Sequence, residues 1–128
     1  MHMKNSILII LVFIPLLSCT QDPKDITIEQ FREVNIDSKK NFLLDVRTVN
    51  EYNFSRIKNS INIDVLDEES FKNQIKKLDP SLNYYVICRS GNRSMKAIRK
   101  MEALGFKNLY NITGGMLEWE KQQLPVEK

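Results

Sequence analysis

The chain has 128 residues, a formal net charge of +3, 42% apolar residues, four glycines and four prolines. That is room for one packed domain, and the sparse Gly and Pro exclude collagen-like and low-complexity classes. The mild positive charge is spread along the sequence without a basic block, so no nucleic-acid surface is expected.

In chain order, Lys4 precedes an apolar run from Ile7 to Leu17. The run is shorter than the roughly 20 residues that span a bilayer, and it suits the core of a secretory signal peptide. Its end, Leu16-Leu17-Ser18-Cys19, resembles the lipobox of bacterial lipoproteins. That resemblance implies removal of residues 1–18, a lipid on Cys19, and a short polar tether through Lys24 leading into a domain over residues 25–128. The protein would then sit in a bacterial cell envelope, anchored to membrane through Cys19, with its domain outside the cytoplasm. An ordinary secretory signal before an incidental cysteine, or a buried apolar helix, are the alternatives. Processing also removes His2, the sole histidine, and leaves Cys88 as the only free thiol. One thiol without histidine supplies neither an intramolecular disulfide nor the usual zinc ligands, so no metal site is expected.

Thr27 with Gln30 forms a capping-box pattern and opens a helix with Ile28, Phe31 and Val34 on one side. Phe42 to Val46 reads as a strand buried on both faces. Thr48 with Glu51 repeats the capping box and opens a helical turn through Tyr52 and Phe54. Ile61, Ile63 and Val65 alternate with polar residues, as in a half-buried strand. Asp67 caps a helix carrying Phe71, Ile75 and Leu78, and Pro80 ends it. Tyr84 to Ile87 is another buried strand. A helix from about Ser94 to Leu104 turns Ala97, Ile98, Met101 and Leu104 inward, with Gly105 as a left-handed stop. Leu109 to Ile112 is a last short strand, and Gly114-Gly115 leads into a helix with Met116 and Trp119. Strands alternating with helices predict an α/β domain with a mostly parallel central sheet flanked by helices.

The chemistry concentrates in Cys88-Arg89-Ser90-Gly91-Asn92-Arg93-Ser94, between a buried strand and an amphipathic helix. Ligands in open α/β sheets bind beyond the carboxyl ends of strands, and a helix N-terminus offers unpaired N–H groups to an anion. Gly91 and Asn92 tolerate the angles that curl a loop so its amides point inward. Such a nest stabilises a thiolate, and Arg93, with Arg89, adds positive charge at the rim. Cys88 is therefore the candidate nucleophile, against the ordinary alternative of a small buried hydrophobe. Asp45 at a strand end reads as a buried carboxylate paired with a nearby arginine or backbone amides and, with Arg47, as support for the Cys88 loop. Trp119 reads as core, and Lys96, Arg99 and Lys100 as a solvated helix face.

Three segments carry a family resemblance. Cys-Arg-Ser-Gly-Asn-Arg-Ser from Cys88 resembles the active-site loop of single-domain rhodaneses. Leu44-Asp45-Val46-Arg47 running to Glu51-Tyr52 resembles the family's Asp-Val-Arg strand end and Glu-Tyr helix. Gly114-Gly115-Met116-Leu117-Glu118-Trp119 resembles its late Gly-Gly-x-x-x-Trp segment. One stretch departs: where the family has Gly-His-Ile-x-Gly-Ala, this chain has Ser55-Arg56-Ile57-Lys58-Asn59-Ser60. Asn59 can take the positive φ of the missing glycine.

The resemblance implies a rhodanese-like three-layer domain and a sulfurtransferase. Cys88 would take sulfur from a small anionic donor such as thiosulfate and pass it, as a persulfide, to cyanide, a small thiol or a protein thiol, with no cofactor and as a monomer. A membrane-tethered persulfide carrier or recognition module with little turnover is the main rival. A cysteine phosphatase is a further one, although such enzymes place five residues between Cys and Arg, and here there are four.

Overall fold

The computed structural model describes residues 24–128, so the apolar leader and Cys19 lie outside the described residues. Five strands, β1 (Lys24–Ile26), β2 (Asn41–Asp45), β3 (Ser60–Asn62), β4 (Asn83–Ile87) and β5 (Leu109–Ile112), alternate with five helices: α1 (Ile28–Arg32), α2 (Val49–Phe54), α3 (Glu68–Ile75), α4 (Asn92–Ala103) and α5 (Gly115–Lys121). The strands form one sheet in the order β1-β5-β4-β2-β3, and every neighbouring pair is parallel.

Successive side chains of a strand point to opposite faces, and the central strands use this to build two cores. Leu44, Tyr84 and Val86 join Phe71 and Ile75 of α3 and Ala97, Ile98 and Met101 of α4. Leu43, Tyr85 and Ile87 join Ile28 and Phe31 of α1 and Met116 and Trp119 of α5. That is why β2 and β4 read as continuous apolar runs: both faces are covered by helices. Both predicted capping boxes are present, Thr27 with Gln30 and Thr48 with Glu51.

Three details differ from the sequence expectations. The segment from Ile61 to Val65 is not a five-residue strand. Only Ser60–Asn62 joins the ladder, at the sheet edge, and Ile61 is 38% exposed there. Ile63 and Val65 are buried just beyond it, their amides held by the carbonyls of Asp45 and Val46. Leu104 does not point inward, because α4 ends there; Gly105 turns with φ 93° and delivers Phe106 to the core instead. Lys24, expected to belong to a tether, opens β1, which pairs with β5 from Lys24 opposite Tyr110 to Ile26 opposite Ile112.

Asn59 adopts φ 64° and its side chain donates to Asp37 Oδ1 at 3.0 Å. The left-handed region costs a β-branched residue about 1–2 kcal/mol more than it costs glycine. Urea unfolding should therefore find Asn59→Val destabilised by about that amount and Asn59→Gly within about 0.5 kcal/mol of the parent. Equal losses in the two variants would place the cost in the Asp37 hydrogen bond and not in the backbone.

Candidate active site

The chain runs outward from β2 to β3 and then returns to β4 on the other side of β2. The carboxyl end of β4 thus lies where connections diverge, the usual position of a site in an open α/β sheet. Cys88 is the first residue beyond β4 and is 1% exposed. The next residues curl back, and Gly91, with φ 108°, is the N-cap of α4 without any side-chain cap. Its amide is free to serve another acceptor, and it donates to Cys88 Sγ at 3.0 Å. The helix begins at Asn92, two residues before the expected Ser94, so Gly91 alone takes the left-handed turn and Asn92 is helical.

Burial pushes the Cys88 thiol up, but the Ser94 hydroxyl and the amides of Ser94, Gly91 and Ser90 outweigh it, and the thiol lies below its ordinary value. In its neutral form the thiol donates to Ser94 Oγ at 3.4 Å. The loop is also held from outside. The amides of Met116 and Leu117, in the first turn of α5, donate to the carbonyls of Cys88 and Arg89 at 2.9 and 3.0 Å. A Cβ on Gly115 would meet both of those carbonyl oxygens at 2.5 Å. The second glycine of Gly114-Gly115, read from sequence only as a turn, is therefore what lets α5 approach the loop.

Arg93, expected to add positive charge at the rim, is paired with a carboxylate. Its guanidinium forms a paired contact with Glu51 of α2, at 2.6 and 2.8 Å. Glu51 thus does two things, since its carboxylate also accepts the Thr48 amide at 3.0 Å to close the capping box. The sequence signalled the cap but not the partner 42 residues away. Asp45 and Arg47 are buried and paired, with Arg47 Nη2 at 2.7 Å from Asp45 Oδ2. The same nitrogen donates to the Ser55 carbonyl at 2.7 Å. The pair therefore fastens β2 to the end of α2, and neither side chain hydrogen-bonds the Cys88 loop. Arg56, in place of the expected histidine, stacks 5.1 Å over Tyr52 and its backbone bridges to Glu127.

Arg89, Ser90 and Asn92 are exposed. A cleft of about 380 Å³ opens beside Arg89 and is lined by Arg47, Glu51, Phe54, Met116 and Leu117 among others. Phe54 is 76% exposed at its edge. The arrangement is a sheltered thiol under backbone donors, followed in the chain by Arg89, which borders a cleft whose lining combines apolar side chains with Arg47 and with the carboxylates of Glu51 and Glu120.

A family model described as "Rhodanese-like domain" matches residues 27–122. The chain belongs to the rhodanese-like family. It is 31% identical over 102 residues to the Bacillus subtilis protein named "Putative sulfurtransferase YtwF", covering 80% of this chain and 95% of that protein. It is 34% identical over 96 residues to "Putative sulfur carrier protein YrkF" of the same organism, covering 74% of this chain and 50% of that protein. The chain spans half or less of several longer relatives that it matches. The crystal structure of a rhodanese-related protein from Thermoplasma volcanium superimposes with a TM-score of 0.69 at 34% identity, over 81% of this chain and 97% of that one. Membership of the rhodanese-like family and the sulfurtransferase relatives support a role in sulfur transfer.

The Glu51–Arg93 pair gives the fold a pH signature. The hydrogen bond from Arg93 holds the Glu51 carboxyl at about 2, against burial, with the Thr48 amide adding to it. The folded value lies below the unfolded one of about 4.5, so the pair stabilises the fold above that pH, and its contribution is lost as pH falls toward 2. Both side chains are partly open to water, which limits the effect to about 1 kcal/mol. Glu51→Gln should lower stability by about that amount at neutral pH and flatten the decline between pH 4.5 and 2. Urea midpoints across that range, parallel in the two proteins, would contradict the pairing.

Proposed function

We propose that the protein is a sulfurtransferase that moves sulfane sulfur through a persulfide on Cys88. The Cys88 thiolate attacks the outer sulfur of a donor such as thiosulfate. A new S–S bond forms to Cys88, the donor S–S bond breaks, and sulfite leaves with the bonding electron pair. Cyanide, or the thiolate of a small or protein thiol, then attacks the outer sulfur of the persulfide, and Cys88 departs as thiolate. This is covalent catalysis in two half-reactions.

The observation that carries the reading is the Gly91 amide at 3.0 Å from Cys88 Sγ, at the start of the 12-residue helix α4. A preorganised donor at a helix N-terminus favours negative charge on sulfur without a histidine base. The tight loop suits one extra sulfur, and the guanidinium of Arg93 is engaged by Glu51. A phosphatase would need an arginine free to embrace a phosphoryl group, so phosphate transfer is disfavoured. Arg89, exposed beside the cleft, is the cation positioned to meet an anionic donor.

With thiosulfate and cyanide, the wild-type protein should give steady turnover and Cys88→Ser should lose it, by at least a thousandfold. Thiocyanate formed equally by both would overturn the role of Cys88. A second reading, a persulfide carrier dedicated to one partner, draws on the Arg56 substitution and on the relative named as a sulfur carrier. Under that reading, thiosulfate adds one sulfur to wild type, but cyanide yields no steady turnover.

The lipobox-like Leu16-Leu17-Ser18-Cys19 supports a further part of the proposal: a lipid on Cys19 that holds the domain at a membrane surface of the bacterial envelope. Two or more acyl chains hold a protein firmly where one binds marginally. Cys19→Ala should move the protein from the membrane to the soluble fraction on cell fractionation. Retention of the variant in the membrane would contradict anchoring through Cys19.

A further inference from the structure

From Cys88 a line of polar side chains crosses the carboxyl end of the sheet, through α4 to β5 and β1. Ser94 is fully buried and Asn111 is 5% exposed. The Ser94 hydroxyl faces two oxygen acceptors, Asn111 Oδ1 at 2.6 Å and the Gly91 carbonyl at 2.9 Å. Asn111 Nδ2 in turn donates to Oδ1 of Asp25 at 3.0 Å, and Asp25 is exposed.

An ionised carboxylate only accepts hydrogen bonds. Asp25 therefore fixes the direction of the Asn111 amide, nitrogen toward itself and oxygen toward Ser94. A hydroxyl has one proton to give. Held by Asn111 Oδ1 at 2.6 Å, that proton is turned from the sulfur, and Ser94 Oγ offers Cys88 a lone pair for its S–H. When Cys88 ionises, the same proton is wanted by the thiolate. Asn111 and the sulfur then compete for it.

We propose that Asn111, oriented by Asp25, is a positioning residue that sets the thiol–thiolate balance of Cys88 by withholding the Ser94 proton from sulfur. The proposal rests on Cys88 as the nucleophile of sulfur transfer and adds a tuning element to it. The chemical benefit follows from the behaviour of thiols as nucleophiles. Attack is fastest when the thiol pKa lies near ambient pH, because a more acidic thiol is more ionised but less nucleophilic. The Ser94 hydroxyl and the loop amides draw Cys88 down, and Asn111 limits how far the hydroxyl contributes. The charged groups around Cys88 are Arg93 with its partner Glu51, Asp45 with Arg47, and Arg89 of the loop itself. All remain unchanged in the variants that test the idea.

The test is the pH dependence of Cys88 alkylation by iodoacetamide on the full chain, followed on the Cys88 peptide by mass spectrometry. Asn111→Leu removes the shorter of the two bonds that hold the Ser94 proton and leaves only the Gly91 carbonyl, at 2.9 Å, to compete with the thiolate; it should lower the midpoint by about one pH unit, the effect of a hydrogen bond to a charged group. The shift should vanish when Ser94→Ala is added, because the path runs through that hydroxyl. Asp25→Ala should lower the midpoint by less, and its effect should also vanish in the Ser94→Ala background. An unchanged or raised midpoint in Asn111→Leu overturns the proposal. So does an equal shift with and without Ser94, which would assign the effect to a through-space field. If Asn111→Leu loses the native circular dichroism spectrum, the exposed Asp25→Ala change decides alone, and no shift in it overturns the proposal. Sulfur transfer is read separately on the same samples: shifted midpoints in a wild-type background that takes no sulfur from thiosulfate would remove the proposed reaction and leave the positioning role standing.

Discussion

A thiol buried to 1% exposure at the end of a strand resists ionisation, and the candidate active site is organised around reversing that. The reversal uses the Ser94 hydroxyl and the backbone amides of the loop. The Gly91 amide reaches the sulfur at 3.0 Å because Gly91 takes φ 108° and leaves its N–H outside the helix it caps. An amide donor has no proton to lose at working pH and no rotamer to order, so the stabilisation is built into the fold.

The fold supplies the rigidity that such a loop requires. Cys88 follows β4, which is flanked by β5 and β2 and covered on both faces by helices. The loop after it is clamped from one side by α5, whose approach depends on the missing side chain of Gly115. From another side α2 is joined to α4 through Glu51 and Arg93. The buried Asp45–Arg47 pair then holds the end of α2 to β2. Each link joins segments distant in sequence, so the geometry at the sulfur is a property of the whole domain.

The parts legible in the sequence were those with local signals. Periodicity gave the central strands and α3 and α4, and Thr-x-x-Gln and Thr-x-x-Glu gave the starts of α1 and α2. The positive φ of Asn59 followed from a residue type that tolerates it. The strand β1 was not legible, because only Ile26 of its three residues is buried and its pairing depends on β5. The edge position of β3 had no local signal either, and the alternation from Ile61 to Val65 overstated its length. Within the site, residue types located the Cys88 loop, but pairing did not emerge from them. Arg93 was legible as positive charge at the rim but its partner Glu51 was not, and Asn111 had no motif to mark it at all.

The central physical claim is that folding makes the Cys88 sulfur easier to ionise despite burying it. It is tested most directly by titrating the ultraviolet absorbance of the thiolate in the folded protein and in the same protein unfolded by urea, with Cys19 replaced by serine so that one thiol is observed. A folded midpoint below the unfolded one is expected. A folded midpoint equal to or above it would mean that burial prevails over the loop amides, and that Cys88 is not held as a poised anion.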